Sequence, residues 1–569
     1  MSLSAARDYL AFSHLEADLR AELEPLVALA EKGDEGAQAE LEDRFFEPLA
    51  FGTGGLRGVM AAGLRRMNKP NVRRATLALA QVAKAHAPQG KTALVGFDTR
   101  LQSDMFAREA ARVLAQAGYT VYLGDRPLPT PYLCFAMRKL STACGVIITA
   151  SHNPKIYNGY KAYDDQGGQL VTPWDAEVEA AMGALPLVPV PPSAEADARI
   201  LPIPKELEDA FYAMSLGFLA RPKVFTPAKV LFTPFHGTGI AFVPELFKRA
   251  GLPLEVCERQ AVQDGTFPTA PRPNPEEMAA FKVPLEDAER LGVDAILAND
   301  PDADRLGVVL KHKGQWMQMT GNDMAGLTLD YLATQHHTKG TVITTVVTSD
   351  FLAEVGKLHG METVWTLTGF KNIAVCMHRL VELGEPYAFG AEESIGMCPS
   401  GELRDKDGVT AALLVAEMIG HYKAKGQNLM EAVEELQQRT GAFYNRLVNL
   451  EDPKPGGAQR FAEAMTRIRE AGLRQFAGEQ VTSWEDFATG LWQNVEGQRE
   501  PILDRPDRRD VALPIERSNV LKFRFASGAF AAFRPSGTEP KLKVYLQSRT
   551  TPELLDRMEA EARKLLGLG

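Results

Sequence analysis

The chain has 569 residues, with 63 Lys or Arg against 73 Asp or Glu and a formal net charge of −10. Single cores stop growing near roughly 250–300 residues, so at about 150 residues per domain the length predicts three or four domains. The acidic balance excludes nucleic-acid binding as the main activity, since phosphate backbones demand basic surfaces, and leaves room for an anionic small molecule met by a local positive patch.

Within residues 3–48, Leu15, Leu19, Leu23 and Leu26 recur at helical spacing. That predicts an amphipathic helix interrupted at Gly33 and Gly36, then a second helical piece up to Phe46. The run from Phe51 to Val59 holds four glycines, which let backbone come close to a bound group. It lacks the spacing of a dinucleotide site and the Gly-Lys-Ser/Thr ending of a P-loop. Alternation follows: a helix over 72–85, a strand over 92–97 ending in Asp98-Thr99-Arg100, a helix capped by Ser103 and stopped at Gly118, and a strand over 120–123. Strands alternating with helices predict a mostly parallel sheet covered on both faces.

Gly145 to Ile148 reads as a short buried strand that breaks at once into Thr149-Ala150-Ser151-His152-Asn153-Pro154. Asn-Pro marks a turn. Ser151 therefore sits on a loop at the C-terminal end of a core strand, where open α/β sheets keep their chemistry. A nucleophilic serine needs help, and His152 follows it; the alternative is a structural turn whose serine caps a backbone amide. Thr149 and Asn153 stand where a serine hydrolase has glycines, which excludes that class. Residues 184–204, rich in proline and alanine, read as an exposed segment leading towards a domain boundary.

A second alternating unit opens with a strand from Lys229 to Thr233, a turn holding His236, and a helix over 243–250. The lone His236 reads as a hydrogen-bonding scaffold. The unit closes with an apolar run over 293–298 and the loop Asn299-Asp300-Pro301-Asp302-Ala303-Asp304-Arg305. Three carboxylates on alternate residues repel one another unless a cation lies between them, and hard oxygen ligands suit magnesium. An EF-hand is excluded, because its sixth and twelfth places are here Arg305 and Lys311. A solvated acidic turn is the alternative.

A third unit starts with a β-branched strand over 341–348 and a helix entered at Ser349-Asp350. It contains Thr368-Gly369-Phe370-Lys371, Ala391-Glu392-Glu393-Ser394 and Asp405-Lys406-Asp407-Gly408. Adjacent carboxylates and a hydroxyl suit the diol edge of a sugar. From about residue 440 the pattern changes to a helix over 458–470 and strands over 520–525, 530–533 and 542–546. Between the last two stands Arg534-Pro535-Ser536-Gly537-Thr538. An arginine fork, two hydroxyls and bared backbone N–H groups make a phosphate cradle, and a plain hairpin turn is the alternative.

Thr-Ala-Ser-His-Asn-Pro, Asp-Pro-Asp-Ala-Asp-Arg, Ala-Glu-Glu-Ser and Arg-Pro-Ser-Gly-Thr resemble, in order, the four signature loops of the α-D-phosphohexomutase superfamily. The resemblance spans most of the chain. It implies an α/β fold of three similar mixed or parallel α/β domains plus a C-terminal α+β domain around a central cleft. The expected segments are a helical extension over 1–48, a phosphoserine domain over 49–210, a metal-binding domain over 211–322, a sugar-binding domain over 323–440 and a phosphate-binding domain over 441–569.

The same resemblance implies an intramolecular phosphotransferase with a phosphorylated Ser151, near which Arg57 lies. It implies Mg2+ on Ser151, Asp300, Asp302 and Asp304, with Lys161 or His152 as general acid or base and Lys161 preferred. Arg305, Lys371, Glu392, Ser394, Lys406, Arg534, Ser536, Gly537 and Thr538 are the expected substrate-binding residues. A phosphoserine carries about −1.5 to −2; with three aspartates and one Mg2+ the site needs basic neighbours, and Arg57, Lys161 and Arg305 are the candidates. Ala391 replaces the glycine of the family's Gly-Glu-x-Ser loop, a departure that bears on loop shape and substrate preference.

The N-terminal extension, the glycine-rich run and Thr-Gly-Phe-Lys resemble the branch that holds phosphoglucomutases and phosphopentomutases. The expected reaction interconverts glucose 1-phosphate and glucose 6-phosphate, with glucose 1,6-bisphosphate as intermediate and activator. Pentose phosphates come second and mannose phosphates third. A Mg2+-dependent sugar phosphatase and a non-catalytic sugar-phosphate sensor are the readings from other classes. The scattered Cys134, Cys144, Cys257, Cys376 and Cys398 read as reduced thiols. With no secretory pattern after Met1 and no apolar run near the ~20 residues of a membrane span, the expectation is a cytoplasmic protein with no membrane partner, a monomer or small homo-oligomer.

Overall fold

A six-stranded sheet carries the first alternating unit. Its spatial order is Gly55–Val59, Tyr157–Tyr163, Cys144–Ile148, Thr92–Phe97, Thr120–Leu123 and Ile200–Pro202. The last four strands are parallel, whereas Tyr157–Tyr163 pairs antiparallel with both of its neighbours, so the sheet is mixed. The computed structural model describes residues 2–52, 54–452, 456–505, 517–535 and 541–567. They fall into two units, Met1–Met319 with Gly396–Asn428, and Thr320–Ile395 with Leu429–Gly569.

The glycine-rich run holds the strand Gly55–Val59, and a Cβ on Gly55 would meet the Tyr160 carbonyl oxygen at 2.0 Å. Two expectations change in the first unit. Ser103 is the first helical residue rather than a cap; its hydroxyl donates to Asp98 Oδ1 at 2.8 Å. Part of the proline-rich segment closes the sheet edge as Ile200–Pro202.

The N-terminal extension is three helices, Ser2–Leu10, Ala17–Glu31 and Glu35–Phe45. Tyr9, Leu23, Val27, Leu41 and Phe45 pack together with Leu64. Gly36 lies inside the third helix, because Asp34 caps it by accepting from Ala37 N at 2.8 Å. Buried Arg73 pairs with Glu16 from the extension and Glu109 from the helix Ser103–Gln116. Helices Lys69–His86 and Ser103–Gln116 cover the sheet through Val72, Leu79, Phe106 and Leu114.

The second sheet centres on Val230–Thr233, with Glu255–Val256 and Ala295–Asn299 parallel on either side. Leu306–His312 and Gln315–Gln318 extend it antiparallel. Helix Gly408–Ala424, mostly apolar and buried from Gly408 to Tyr422, packs on this domain. Its N-terminus is capped by Asp407, which accepts from Val409 N and Thr410 N at 3.1 and 2.9 Å.

In the second unit, Thr341–Thr345 is flanked in parallel by Thr363–Thr366 and Tyr387–Glu392. A seven-strand antiparallel path follows, from Tyr444–Glu451 through Lys541–Ser548, Phe530–Pro535 and Leu521–Phe525 to Arg499–Pro501. Helices Gly457–Ala471 and Glu553–Leu565 cover it. Val346, Val347 and Leu367 form one apolar cluster with Val520, Phe530 and Tyr545, and Lys522 Nζ donates to the Val346 carbonyl at 2.8 Å. No helix among the described residues is long and apolar enough to cross a membrane.

Candidate active site

Each of the three parallel units repeats one order: third strand, first strand, second strand. The loop after the third strand is where the candidate residues fall. The sequence dictates the abrupt exits, since Asn153-Pro154 and Asp300-Pro301 both forbid a continuing helix.

Ser151 is 5% exposed and has φ +48°, a left-handed backbone that costs a serine roughly 1–3 kcal/mol. Its Oγ donates to Asp300 Oδ2 at 2.6 Å and lies 3.2 Å from His152 Nδ1. Asp300, Asp302 and Asp304 are all buried and bring carboxylate oxygens within 4.8 Å of one another. Asp300 has both oxygens engaged, and Asp302 and Asp304 have one each. Lys161 Nζ donates to Asp302 Oδ2 at 2.8 Å and Asp304 Oδ2 at 3.2 Å, and Lys406 Nζ reaches Asp304 Oδ2 at 3.1 Å. Thr130 Oγ1 also donates to Asp302 Oδ2, at 3.0 Å, and Arg305 N donates to Asp300 Oδ1 at 3.1 Å.

The remaining oxygens, Asp302 Oδ1 and Asp304 Oδ1, are buried without a hydrogen-bond donor among the described residues. Buried carboxylate oxygens are costly unless something positive meets them. Two such oxygens beside the Asp300 carboxylate and a serine hydroxyl, all hard oxygen donors, fit a small divalent cation such as Mg2+.

The local field is strong. Burial, with Asp304 and Asp302 adding to it, pushes the Asp300 carboxyl well up. Burial would raise Asp304 too, but Lys406, Lys161 and Arg305 outweigh it and hold that carboxyl well below the usual range. For Lys161 burial acts downwards, and Asp302, Asp304 and Asp405 reverse it to leave the ammonium firmly charged. Burial and the guanidiniums of Arg305 and Arg57 hold the His152 ring well below its ordinary value, so the imidazole is neutral.

Arg57 lies exposed on the strand Gly55–Val59, with Nη1 donating to Asn153 Oδ1 at 3.2 Å on the serine loop. Arg305 pairs with Glu276 at 3.0 Å. His236 is a scaffold as expected: its Nδ1 lies 2.9 Å from the Val262 carbonyl and its Nε2 2.8 Å from Thr269 Oγ1.

In the second unit, Glu392 ends the strand Tyr387–Glu392 and is 6% exposed, with half-buried Ser394 two residues on. The neighbouring Glu393 accepts from Thr348 Oγ1 at 3.1 Å and Thr345 Oγ1 at 3.3 Å. Burial and Glu392 raise its pKa. Lys371 lies in the first turn of helix Phe370–Leu383, entered through Gly369 at φ +112°. Arg534 is half-buried, 3.5 Å from the Tyr545 hydroxyl. Ser536, Gly537 and Thr538 lie outside the described residues.

Sequence reasoning missed Thr130 and Tyr163, and it named Asp405 and Arg100 within short runs without giving either a role. The Tyr163 hydroxyl donates to Asp405 Oδ2 at 3.1 Å, and Asp405 Oδ1 accepts from Lys406 N at 2.8 Å. The only signal for Arg100 was its place at a strand end beside Asp98.

Four domain models of the phosphoglucomutase/phosphomannomutase family match the chain. The α/β/α domains I, II and III match residues 48–186, 215–314 and 320–439, and the C-terminal domain matches 492–565. A probable phosphomannomutase of Haemophilus influenzae is 32% identical over 503 residues, 87% of this chain and 96% of the relative. A phosphoglucomutase of Staphylococcus aureus is 33% identical over 520 residues, 89% and 91% of the two chains. In fold, the chain is similar to a putative phosphomannomutase from Thermus thermophilus, with TM-score 0.66 and 24% identity over 91% of this chain and 99% of that one. The chain belongs to the α-D-phosphohexomutase superfamily, in its phosphoglucomutase/phosphomannomutase family. Its activity is that of a phosphohexomutase, an intramolecular phosphotransferase.

Proposed function

We propose that this phosphohexomutase interconverts glucose 1-phosphate and glucose 6-phosphate, with Ser151 carrying the phosphoryl group between sugars. The observation that carries the reading is the 2.6 Å contact of Ser151 Oγ with Asp300, beside two buried carboxylate oxygens that have no donor among the described residues. Ser151, Asp300, Asp302 and Asp304 hold Mg2+ in this reading. When bound, the ion neutralises charge on the transferring phosphoryl oxygens.

Phosphoserine 151 gives its phosphoryl group to a free sugar hydroxyl. The P–O bond to Ser151 breaks as the one to the sugar forms, and the resulting glucose 1,6-bisphosphate later returns its other phosphate to Ser151. The proton that the sugar hydroxyl loses is returned to Ser151 Oγ as its P–O bond breaks, carried by Lys161 or by His152, whose Nδ1 lies 3.2 Å from that oxygen, as general acid and base. Arg57, Lys161, Arg305 and Lys406 offset the charge of a phosphorylated serine beside three aspartates. Glu392, Ser394 and Lys371 bind the sugar, while Arg534 with Ser536, Gly537 and Thr538 grips the distal phosphate. We keep the five segments 1–48, 49–210, 211–322, 323–440 and 441–569, and a cytoplasmic monomer or small homo-oligomer, as part of the same proposal.

The test is a coupled assay with Mg2+ and trace glucose 1,6-bisphosphate, run on glucose 1-phosphate, mannose 1-phosphate and ribose 1-phosphate. Fastest turnover of the glucose ester supports the substrate choice; faster turnover of mannose or ribose ester replaces it and leaves the chemistry standing. Ser151→Ala should lose turnover on every sugar and take up no phosphate. Retained activity sinks the phosphoserine reading.

A further inference from the structure

Resting on Ser151 as the phosphoryl carrier, we propose that Arg100 is a positioning residue that sets the serine loop for transfer. Its side chain is 0% exposed. The guanidinium donates to four backbone carbonyls of one loop: those of Ser151 and Asn153, and those of Pro154 and Tyr157 at 3.0 Å each. It touches Ser151 only through that residue's carbonyl, so it acts on the reacting oxygen through the backbone.

The rest of its surroundings serve that task. Asp98 lies 3.5 Å from Arg100 Nε and supplies the counter-charge that a buried cation requires. Asp98 Oδ1 is itself held, accepting from Arg100 N at 2.9 Å and Ser103 Oγ at 2.8 Å. The guanidinium also lies over the Phe267 ring, 5.1 Å from its centroid. Phe267 belongs to the turn that His236 pins at Val262 and Thr269. The next residues after His236 carry the aspartate loop, since Thr238 N donates to the Pro301 carbonyl at 2.8 Å. Arg100 is therefore packed between the support of the aspartate loop and the backbone of the serine loop. In that place it fixes the distance between Ser151 Oγ and Asp300 while Ser151 stays in its left-handed conformation.

A planar fork with five N–H groups can serve four carbonyls at once, and an ammonium with three cannot. Arg100→Lys keeps the charge beside Asp98 and loses the fork. For this variant we expect a folded protein, weaker Mg2+ binding by calorimetry because the serine is one of the ligands, and KM at saturating Mg2+ within about twofold of the parent. A misplacement near 1 Å costs roughly 100-fold in rate, and kcat should fall by about that factor. Single-turnover phosphorylation of Ser151 by glucose 1,6-bisphosphate, followed by mass spectrometry, should slow equally. A merely structural role would lower the active fraction without changing the rate per folded site.

Parental rates in folded Arg100→Lys overturn the proposal. If that variant does not fold, Phe267→Leu decides. Removing the ring beneath the guanidinium should slow phosphorylation several-fold at saturating Mg2+, and a parental rate overturns the proposal. Should the parent itself take up no phosphate on Ser151, the functional reading falls rather than the role of Arg100 alone.

Discussion

Replacing Gly237 with alanine tests whether the aspartate loop is held by contact with the turn beneath it. Gly237 has φ −93° and ψ −167°, a backbone any residue adopts, so the substitution carries no conformational penalty and the outcome is decided by space. An added Cβ would lie 2.4 Å from Pro301 Cα, 2.7 Å from the Pro301 oxygen and 2.8 Å from the Pro234 oxygen. All three are backbone atoms and cannot swing away. Ordinary contact begins near 3.4 Å, so Pro301 must retreat by about 1 Å. Pro301 joins Asp300 to Asp302, and both carboxylates move with it. Overpacking of this kind costs about 1–3 kcal/mol, and for a domain of about 100 residues each kcal/mol lowers Tm by about 4–8 °C. A retreat near 1 Å should reduce kcat roughly 100-fold. Calorimetric titration of Mg2+ should show weaker binding in parallel, while far-UV circular dichroism stays parental. Parental kcat and Mg2+ affinity in Gly237→Ala would refute the idea that this turn sets the aspartates.

Three further outcomes follow from the same packing. Lys161→Met strips Asp302 and Asp304 of a shared partner, and breaking a buried pair costs about 3–5 kcal/mol; metal-free Tm should fall, and Mg2+ should recover more of it in the variant than in the parent. Arg73→Ala leaves Glu16 and Glu109 without their common cation, and limited trypsin digestion should release the N-terminal helices far sooner than in the parent. Burial would raise Asp350, but Arg524 and Lys522 outweigh it and hold its carboxyl at about 2. A folded value below the unfolded ~3.9 contributes about 2–3 kcal/mol that is fully present above that pH and is lost as pH falls towards 2. The stability gap between parent and Asp350→Asn in urea titrations should therefore narrow between pH 4 and pH 2, and a constant gap refutes it.

The strands Thr92–Phe97 and Thr120–Leu123 are legible residue for residue, because each is a short β-rich run between glycine or polar breaks. The same holds for the serine and aspartate loops, whose prolines and charge pattern are local features. What local pattern hides is pairing. Tyr157–Tyr163 alternates poorly, with Asn158 and Gly159 inside it, and becomes a strand only because Cys144–Ile148 and Gly55–Val59 lie on either side. Ser103 looks like a helix cap in sequence, and the tertiary demand of Asp98 diverts its hydroxyl. Glu392 and Glu393 are indistinguishable by type, yet one is buried at the end of a strand and the other is held by two threonines 45 and 48 residues away. Arg100 was invisible as a functional group because all its loop partners are backbone carbonyls more than 50 residues along the chain.

These hidden contacts share a rule that the strand order explains. In every parallel unit the first strand lies beside the third. The turn leaving the first strand must then sit beside the loop leaving the third. After Thr92–Phe97 that turn presents Asp98 and Arg100, which hold the serine loop. After Val230–Thr233 it presents Gly237 and Thr238, which hold Pro301 of the aspartate loop. After Thr341–Thr345 it presents Thr348, which with Thr345 holds Glu393 of the sugar-type loop. Three chemically different sites are thus braced from one topological position, by a cation on carbonyls, by a close backbone contact and by hydroxyls on a carboxylate. Loop chemistry can diverge under this arrangement while the brace keeps each loop within the fraction of an ångström that phosphoryl transfer requires.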